Sequence, residues 1–348
     1  MKRLALILLP IVAFVAGAAA TTAWHAALHS ATAHGPSSGG AATFAAPATP
    51  AGPEDAAPGG LLSEADWPQN APTPEQVIYD QTELLDSEIA TLKPRTPGKV
   101  NLYAIAFAGD GGENVFRNEA EYFDKLFSRR LGAQGHVIVL ENNPASLTSR
   151  PLATWTNLED ALDAVAAKMN LDQDILLLYF TTHGSEDHTL LVDMDPLPLD
   201  QIGASDLPGI LAEHPFKYKV IIVNACYSGG FIAPLRGHDT MIITSARSDR
   251  SSFGCGEQSE LTWFGHAFLV DALNKTDDFQ EAFQMARSEI ARWEQRDGYQ
   301  PSDPQISSGP GILAQLDRWR EGFTPGPAVG FAPAAVPPAS ASSSSVKP

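Results

Sequence analysis

The sequence predicts an α/β domain with a mostly parallel central sheet and helices on both faces. Three observations lead there. The runs Ile175 to Phe180 and Val220 to Val223 are apolar at every position, as strands buried on both faces are. Such runs alternate along the chain with segments whose apolar residues recur at helical spacing. Both runs also end alike, in small or reactive residues: Thr181-Thr182-His183-Gly184-Ser185 after the first, and Asn224-Ala225-Cys226-Tyr227-Ser228-Gly229-Gly230-Phe231 after the second.

The elements follow in order. Asn101 to Ala108 reads as a strand, and Arg117 to Leu131 as a helix with Ala120, Phe123, Phe127 and Leu131 on one face. His136 to Leu140 is a short strand. Thr156-Asn157-Leu158-Glu159 has the capping-box pattern and predicts a helix whose Leu158, Leu162, Val165 and Met169 form an apolar stripe. After the His183 strand, Thr189 to Val192 forms a small hairpin arm and Ser205 to Glu213 a short helix. Beyond the Cys226 strand lies another, Met241 to Ala246. Phe264 to Leu273 and Phe279 to Trp293 are helices, the second burying Phe279, Phe283, Ala286, Ile290 and Trp293. Pro304 to Ser307 is a last short strand, before a helix over Ile312 to Arg320. No internal repeat is visible.

Composition narrows the function. The 348 residues are 44% hydrophobic and 18% charged, enough for one substantial core. A net charge of -18 would be repelled by phosphate backbones, which argues against nucleic acid as a partner. Met1-Lys2-Arg3, an apolar run to about Ala20 and small residues at its close describe an export signal over 1–20, or a signal anchor if it is not cleaved. Residues 21–73 are Ala-, Pro-, Gly- and Ser-rich and read as a low-complexity linker, with residues 324–348 a disordered Pro/Ala/Ser tail. The folded domain is expected over 74–323. His25, His29 and His34 read as ordinary histidines of a linker. An exported location, periplasmic or secreted, follows from the leader.

The chemistry gathers at the two strand ends. In open α/β sheets ligands bind beyond the carboxyl ends of the strands, so neighbouring parallel strands would present His183 and Cys226 on one rim. An imidazole or a helix N-terminus lowers a thiol's pKa and makes it a nucleophile, and the small residues after Cys226 are suited to starting such a helix. The backbone N–H groups of Gly184 and Cys226, sited where the ladder stops, suit an oxyanion hole. Ordinary readings compete: a buried apolar cysteine and a satisfied core histidine. Zinc on His183, His188 and Cys226 lacks the spacing of a zinc-peptidase helix. Gly109 to Gly112 lacks the dinucleotide pattern. Asp193-Met194-Asp195 reads as a solvated turn rather than a calcium loop. The second cysteine of the chain's two, Cys255, reads as a buried structural residue away from the imidazole. Both thiols are expected to stay unpaired, since a bond between them would remove the nucleophile.

The His-Gly and Ala-Cys blocks resemble the signatures of the legumain-type cysteine peptidases (family C13), relatives of caspases, gingipains and the transamidase that attaches glycolipid anchors. The resemblance covers roughly Val100 to Gly309. Thr244-Ser245-Ala246 with Ser251-Ser252-Phe253-Gly254-Cys255, and Gly109 to Gly112 leading to Arg117-Asn118-Glu119-Ala120, are similar to flanking family segments. It implies a caspase-like three-layer α/β/α sandwich and a cysteine endopeptidase needing no metal or cofactor. It implies His183 as general acid/base, Cys226 as nucleophile, Gly184 and Cys226 as the oxyanion hole, and Arg117 and Ser245 at the specificity pocket. Arg250 stands where legumains carry a glutamate, and Asn118 where they carry a histidine. If Arg117 and Arg250 both face the pocket, an acidic residue before the scissile bond is expected to be preferred; if Arg250 points to solvent or pairs with Asp249, Glu257 or Glu260, Arg117 acts alone. Substrates would be proteins or peptides. Transpeptidation on the same dyad, or a binding module that kept the fold without turnover, are the alternatives.

Overall fold

The structure, a computed structural model, describes residues 67–256 and 259–335; the leader and most of the linker lie outside the described residues. It opens with α1 (Pro74–Ile89), which the apolar pattern did not draw out. A capping box starts it: Gln76 N–H donates to Thr73 Oγ1 at 3.3 Å, and Thr73 N–H donates to Gln76 Oε1 at 2.9 Å. Pro74 occupies the first helical position, where a missing N–H costs nothing.

Then come β1 (Leu102–Ala108), α2 (Asn114–Arg129), β2 (Val137–Glu141), α3 (Trp155–Lys168) and β3 (Ile175–Thr181). A small arm pairs β4 (Thr189–Leu190) antiparallel with β5 (Ile202–Gly203), and α4 (Leu207–Ala212) leads into β6 (Tyr218–Asn224). The short α5 (Ile232–Leu235) and β7 (Thr240–Thr244) follow. After them, α6 (Trp263–Gly265) runs into a π-helical turn over His266–Ala272, before α7 (Phe279–Asp297), β8 (Gln305–Ser308) and α8 (Pro310–Glu321). Two boundaries differ from the sequence pattern. α3 begins earlier, because Thr154 rather than Thr156 caps it, accepting from Asn157 N–H at 3.1 Å. α2 begins three residues earlier than expected, which brings Arg117, Asn118 and Glu119 into a buried first half of the helix.

The six-stranded sheet has the order β2-β1-β3-β6-β7-β8, parallel throughout except for β8. Every residue of β1 and β3 is buried, and the pleat divides them between two cores. Ala104, Ala106, Leu177, Tyr179, Val220 and Ile222 face α2, the π turn, α7 and α8. Tyr103, Ile105, Phe107, Leu176, Leu178 and Ile221 face α3, α4 and α5. This is the three-layer α/β/α sandwich that the sequence predicts. From β1 the chain steps outward to β2 and then back across β1 to β3, so strand order reverses between β1 and β3. That reversal opens a crevice at their carboxyl ends.

Residues 324 to 335, read from composition as part of a tail, form no helix or strand but lie along α2. Asn274 Oδ1 accepts from Val329 N–H at 2.7 Å, Tyr122 Oη donates to Val329 O at 2.7 Å, and Asn118 Oδ1 accepts from Ala334 N–H at 2.9 Å. Among the described residues no helix is long and apolar enough to cross a membrane.

Candidate active site

β3 and β6 are neighbours in register, with Thr181 opposite Asn224, and Thr182 N–H still donates to Asn224 O at 3.2 Å. One residue further each way, the ladder stops and the two rims hold His183-Gly184 and Ala225-Cys226. Their closeness is written into Gly184: a Cβ there would overlap the Cys226 carbonyl oxygen and crowd Ala225. Gly184→Ala is therefore expected to cost about 1–3 kcal/mol by overpacking, read as a lower midpoint in urea. An unchanged midpoint would mean that the rims part freely.

Two backbone donors are left over at this point. Gly184 faces Leu190 across an antiparallel bridge whose bonds run from Ser185 N–H to Thr189 O (3.1 Å) and from Leu191 N–H to His183 O (3.0 Å). Gly184 N–H is thus not used by the pairing. Ala225 N–H is spent on Ser245 Oγ (2.9 Å) and Tyr227 N–H on Arg250 O (2.8 Å), leaving Cys226 N–H between them. The Cys226 sulfur accepts the Ser252 N–H at 3.3 Å and lies 3.7 Å from Ser252 O and 3.6 Å from Ser252 Oγ. The helix expected after the thiol amounts only to a 3₁₀ turn over Ser228–Phe231 and the four-residue α5, entered through Tyr227 in the left-handed region at φ 57. A helix dipole therefore adds little to Cys226.

His183 sits among acids. Its Nε2 lies 3.5 Å from Asp110 Oδ2 and 3.6 Å from Glu113 Oε2, and its ring meets the edge of Phe116 at 5.1 Å between centroids. Burial alone would lower its pKa, but the neighbouring Cys255 and the carboxylates of Glu113 and Asp110 outweigh this and push it up to about 10. Burial pushes Asp110 up to about 6, against the opposing pull of the Gly112 N–H and His183. Cys255 corrects an expectation: rather than standing apart, it lies half-buried beside the imidazole. The loop from Ser251 folds back over the rim, its Trp263 N–H donating to Phe253 O at 2.9 Å, and Gly254 takes φ 86 where a Cβ would strike Trp263. Both cysteines are free thiols.

The residues expected at a specificity pocket separate. Arg117 is buried, 3.4 Å from Glu141 Oε1, and its terminal nitrogens donate to Ala335 O (2.8 Å) and Ala334 O (3.4 Å). Burial foremost, with the nearby Glu121 charge, pushes Glu141 up to about 7. Arg250 instead pairs with Asp249 at 3.6 Å and lines a cleft of about 290 Å³ with Arg247, Arg287 and Asp303. The two guanidiniums share no partner among the described residues. The condition of two arginines in one pocket is not met; the alternative holds, in which Arg250 pairs with Asp249. Ser245 is buried, its hydroxyl spent on both backbone groups of Ala225, where it anchors the Cys226 loop rather than opening to a ligand. A larger cleft of about 440 Å³ between α1 and α3 carries no thiol or imidazole.

Three functional candidates escaped the sequence reading. Glu119 is fully buried beneath both rims: its Oε2 accepts from Tyr179 Oη (2.8 Å), Thr181 Oγ1 (2.6 Å) and Asn224 Nδ2 (2.8 Å), and its Oε1 from Thr262 N–H (2.8 Å). It thereby ties β3, β6 and the start of α6 to α2. Asp110 and Glu113 flank His183 at the end of β1. The one signal that could have found them is two acids just past a buried strand, on the rim next to the histidine strand.

No curated protein matches the chain in a search of characterised sequences. A model of the Peptidase C13 family matches residues 102–309, from the first residue of β1 to just past β8. The span takes in both rims, the loop that carries Cys255 and the whole of the six-stranded sheet. This chain belongs to the Peptidase C13 family of cysteine peptidases.

Proposed function

We propose that the chain is an endopeptidase that cleaves through a thioester on Cys226, with His183 as its acid and base, after asparagine- or aspartate-type residues. The observation that carries this is the pairing of a thiol rim with an imidazole rim beside two unspent N–H groups, Gly184 and Cys226. In the reading, the Cys226 thiolate attacks the scissile carbonyl carbon and the oxyanion takes the two N–H bonds. As the C–N bond breaks, the His183 imidazolium gives its proton to the leaving amine. The neutral imidazole then takes a proton from water, whose oxygen attacks the thioester carbonyl, and the thiolate leaves. Acids around His183 favour the imidazolium needed for the first half. Cys226, rather than Cys255, is the nucleophile because the unspent N–H groups of Gly184 and Cys226 lie at its own rim and the Ser252 N–H donates to its sulfur. The charged, then apolar N-terminus supports export.

Arg117 beside Glu141 supports a P1 pocket that balances one cation against one acid. With Arg250 paired elsewhere, a neutral carboxamide suits that balance at neutral pH. Burial pushes Glu141 up to about 7, so acidification neutralises it and leaves the Arg117 charge unbalanced, which favours a carboxylate. Turnover of fluorogenic peptides with Asn or Asp at P1 tests both levels. The Asp-to-Asn ratio of kcat/KM is expected to rise as pH falls through about 7, and Glu141→Gln is expected to raise it at pH 8. A ratio that ignores both pH and Glu141 would remove Arg117–Glu141 from the pocket. Failure of either peptide to be cleaved at any pH would count against the peptidase reading.

A further inference from the structure

The geometry points to a binding site for a tetrahedral divalent transition-metal ion, of the zinc class, on Asp110 Oδ2, Glu113 Oε2 and His183 Nε2. These three atoms lie within 4.8 Å of one another, and apart from the long ion pairs of His183 with the two acids none has a hydrogen-bond partner. The carboxyl side chains are buried, 1% and 3% exposed, while the imidazole keeps 12% exposure through which an ion can reach the site.

The separations discriminate between explanations. At 3.5 and 3.6 Å from Nε2, both oxygens stand beyond ordinary hydrogen-bond length. Ligands at about 2.0–2.2 Å from a tetrahedral zinc lie about 3.3–3.6 Å from each other, a range that both separations from Nε2 fall in, while the two carboxylate oxygens lie within 4.8 Å of each other. Octahedral magnesium, with bonds of about 2.1 Å, would need about 3.0 Å. Calcium calls for six or more oxygens, and an imidazole ligand disfavours it. One imidazole with two carboxylates is a donor set that zinc accepts, leaving a fourth position for water.

The ligands are also held. Gly112 N–H donates to Asp110 Oδ1 at 2.8 Å, which leaves Oδ2 turned to the site. Glu113 stands at the N-cap of α2, yet its side chain does not cap the helix. Metal on Nε2 would take the nitrogen's lone pair and hold the ring away from proton transfer. That consequence rests on the peptidase reading above; binding itself does not.

Zinc chloride titrated into the metal-free full-length chain is the test, followed by calorimetry and by metal analysis after dialysis. One ion per chain is expected, retained in Cys226→Ala. Glu113→Gln, and separately Asp110→Asn, are expected to weaken binding at least about tenfold, with cobalt(II) giving a tetrahedral absorption spectrum in the parent chain. Binding that survives both acid variants, or that vanishes in Cys226→Ala or Cys255→Ala, would overturn the site in favour of adventitious thiol binding. Absence of binding would overturn it outright. These readouts hold whether or not the chain cleaves peptides. If it does, turnover is expected to fall in step with occupancy and return with chelator; full turnover at full occupancy would overturn the inhibitory role.

Discussion

Glu119→Ala is expected to lower the stability of the domain by at least about 3 kcal/mol. The carboxylate accepts four hydrogen bonds in a fully buried place, from Tyr179, Thr181, Asn224 and Thr262. Truncation would leave these donors unsatisfied in the interior, each such loss costing about 1–3 kcal/mol, and would open a void. The surroundings are tight: a Cβ on Gly265 would already overlap this side chain. Glu119→Gln keeps the shape but must turn an NH₂ toward donors on one side, so an intermediate loss is expected. Urea unfolding followed by tryptophan fluorescence measures both. A loss below about 1 kcal/mol for the alanine variant would show that the buried charge costs nearly as much as its bonds return.

The second large effect concerns turnover. Cys226→Ala and His183→Ala are each expected to reduce peptide cleavage by about 10⁴-fold or more, since groups that act as a unit lose nearly everything when one is removed. The double variant is expected to be little worse than either. Cys255→Ala is expected to stay within about tenfold of the parent, although Cys255 neighbours the imidazole. Steady-state kinetics on the best P1 peptide gives the comparison, with the urea midpoint of each variant as the control for folding. Additive losses in the double variant would mean that the two residues do not act together.

Much of this fold is legible in the sequence because its signals are local. Strands buried on both faces announce themselves as unbroken apolar runs, and β3 and β6 do so plainly. Parallel alternation with helices then brings His183 and Cys226 to one rim. What stayed hidden depends on tertiary contact. Glu119 meets Thr262 across 143 residues and Asn224 across 105, and no local pattern announces such a hub. Cys255 reaches His183 only because a loop without regular structure folds back over the rim. Arg250 is placed by a motif that leaves its direction open, and the neighbouring Asp249 decides where its guanidinium goes. α1 is a different case: its capping box at Thr73 and Gln76 is local, but the apolar pattern that follows is too weak to mark a helix.

The identity of the nucleophile is the claim on which the rest depends, because one free thiol, Cys255, lies beside the imidazole and the other, Cys226, stands on the neighbouring rim. Incubation of the full-length chain with a peptidyl acyloxymethylketone, followed by peptide mapping in a mass spectrometer, tests it most directly. The thioether adduct is expected on Cys226, absent in Cys226→Ala, strongly slowed in His183→Ala and unaffected in Cys255→Ala. An adduct on Cys255 in the parent chain, with Cys226 unmodified, would contradict the account.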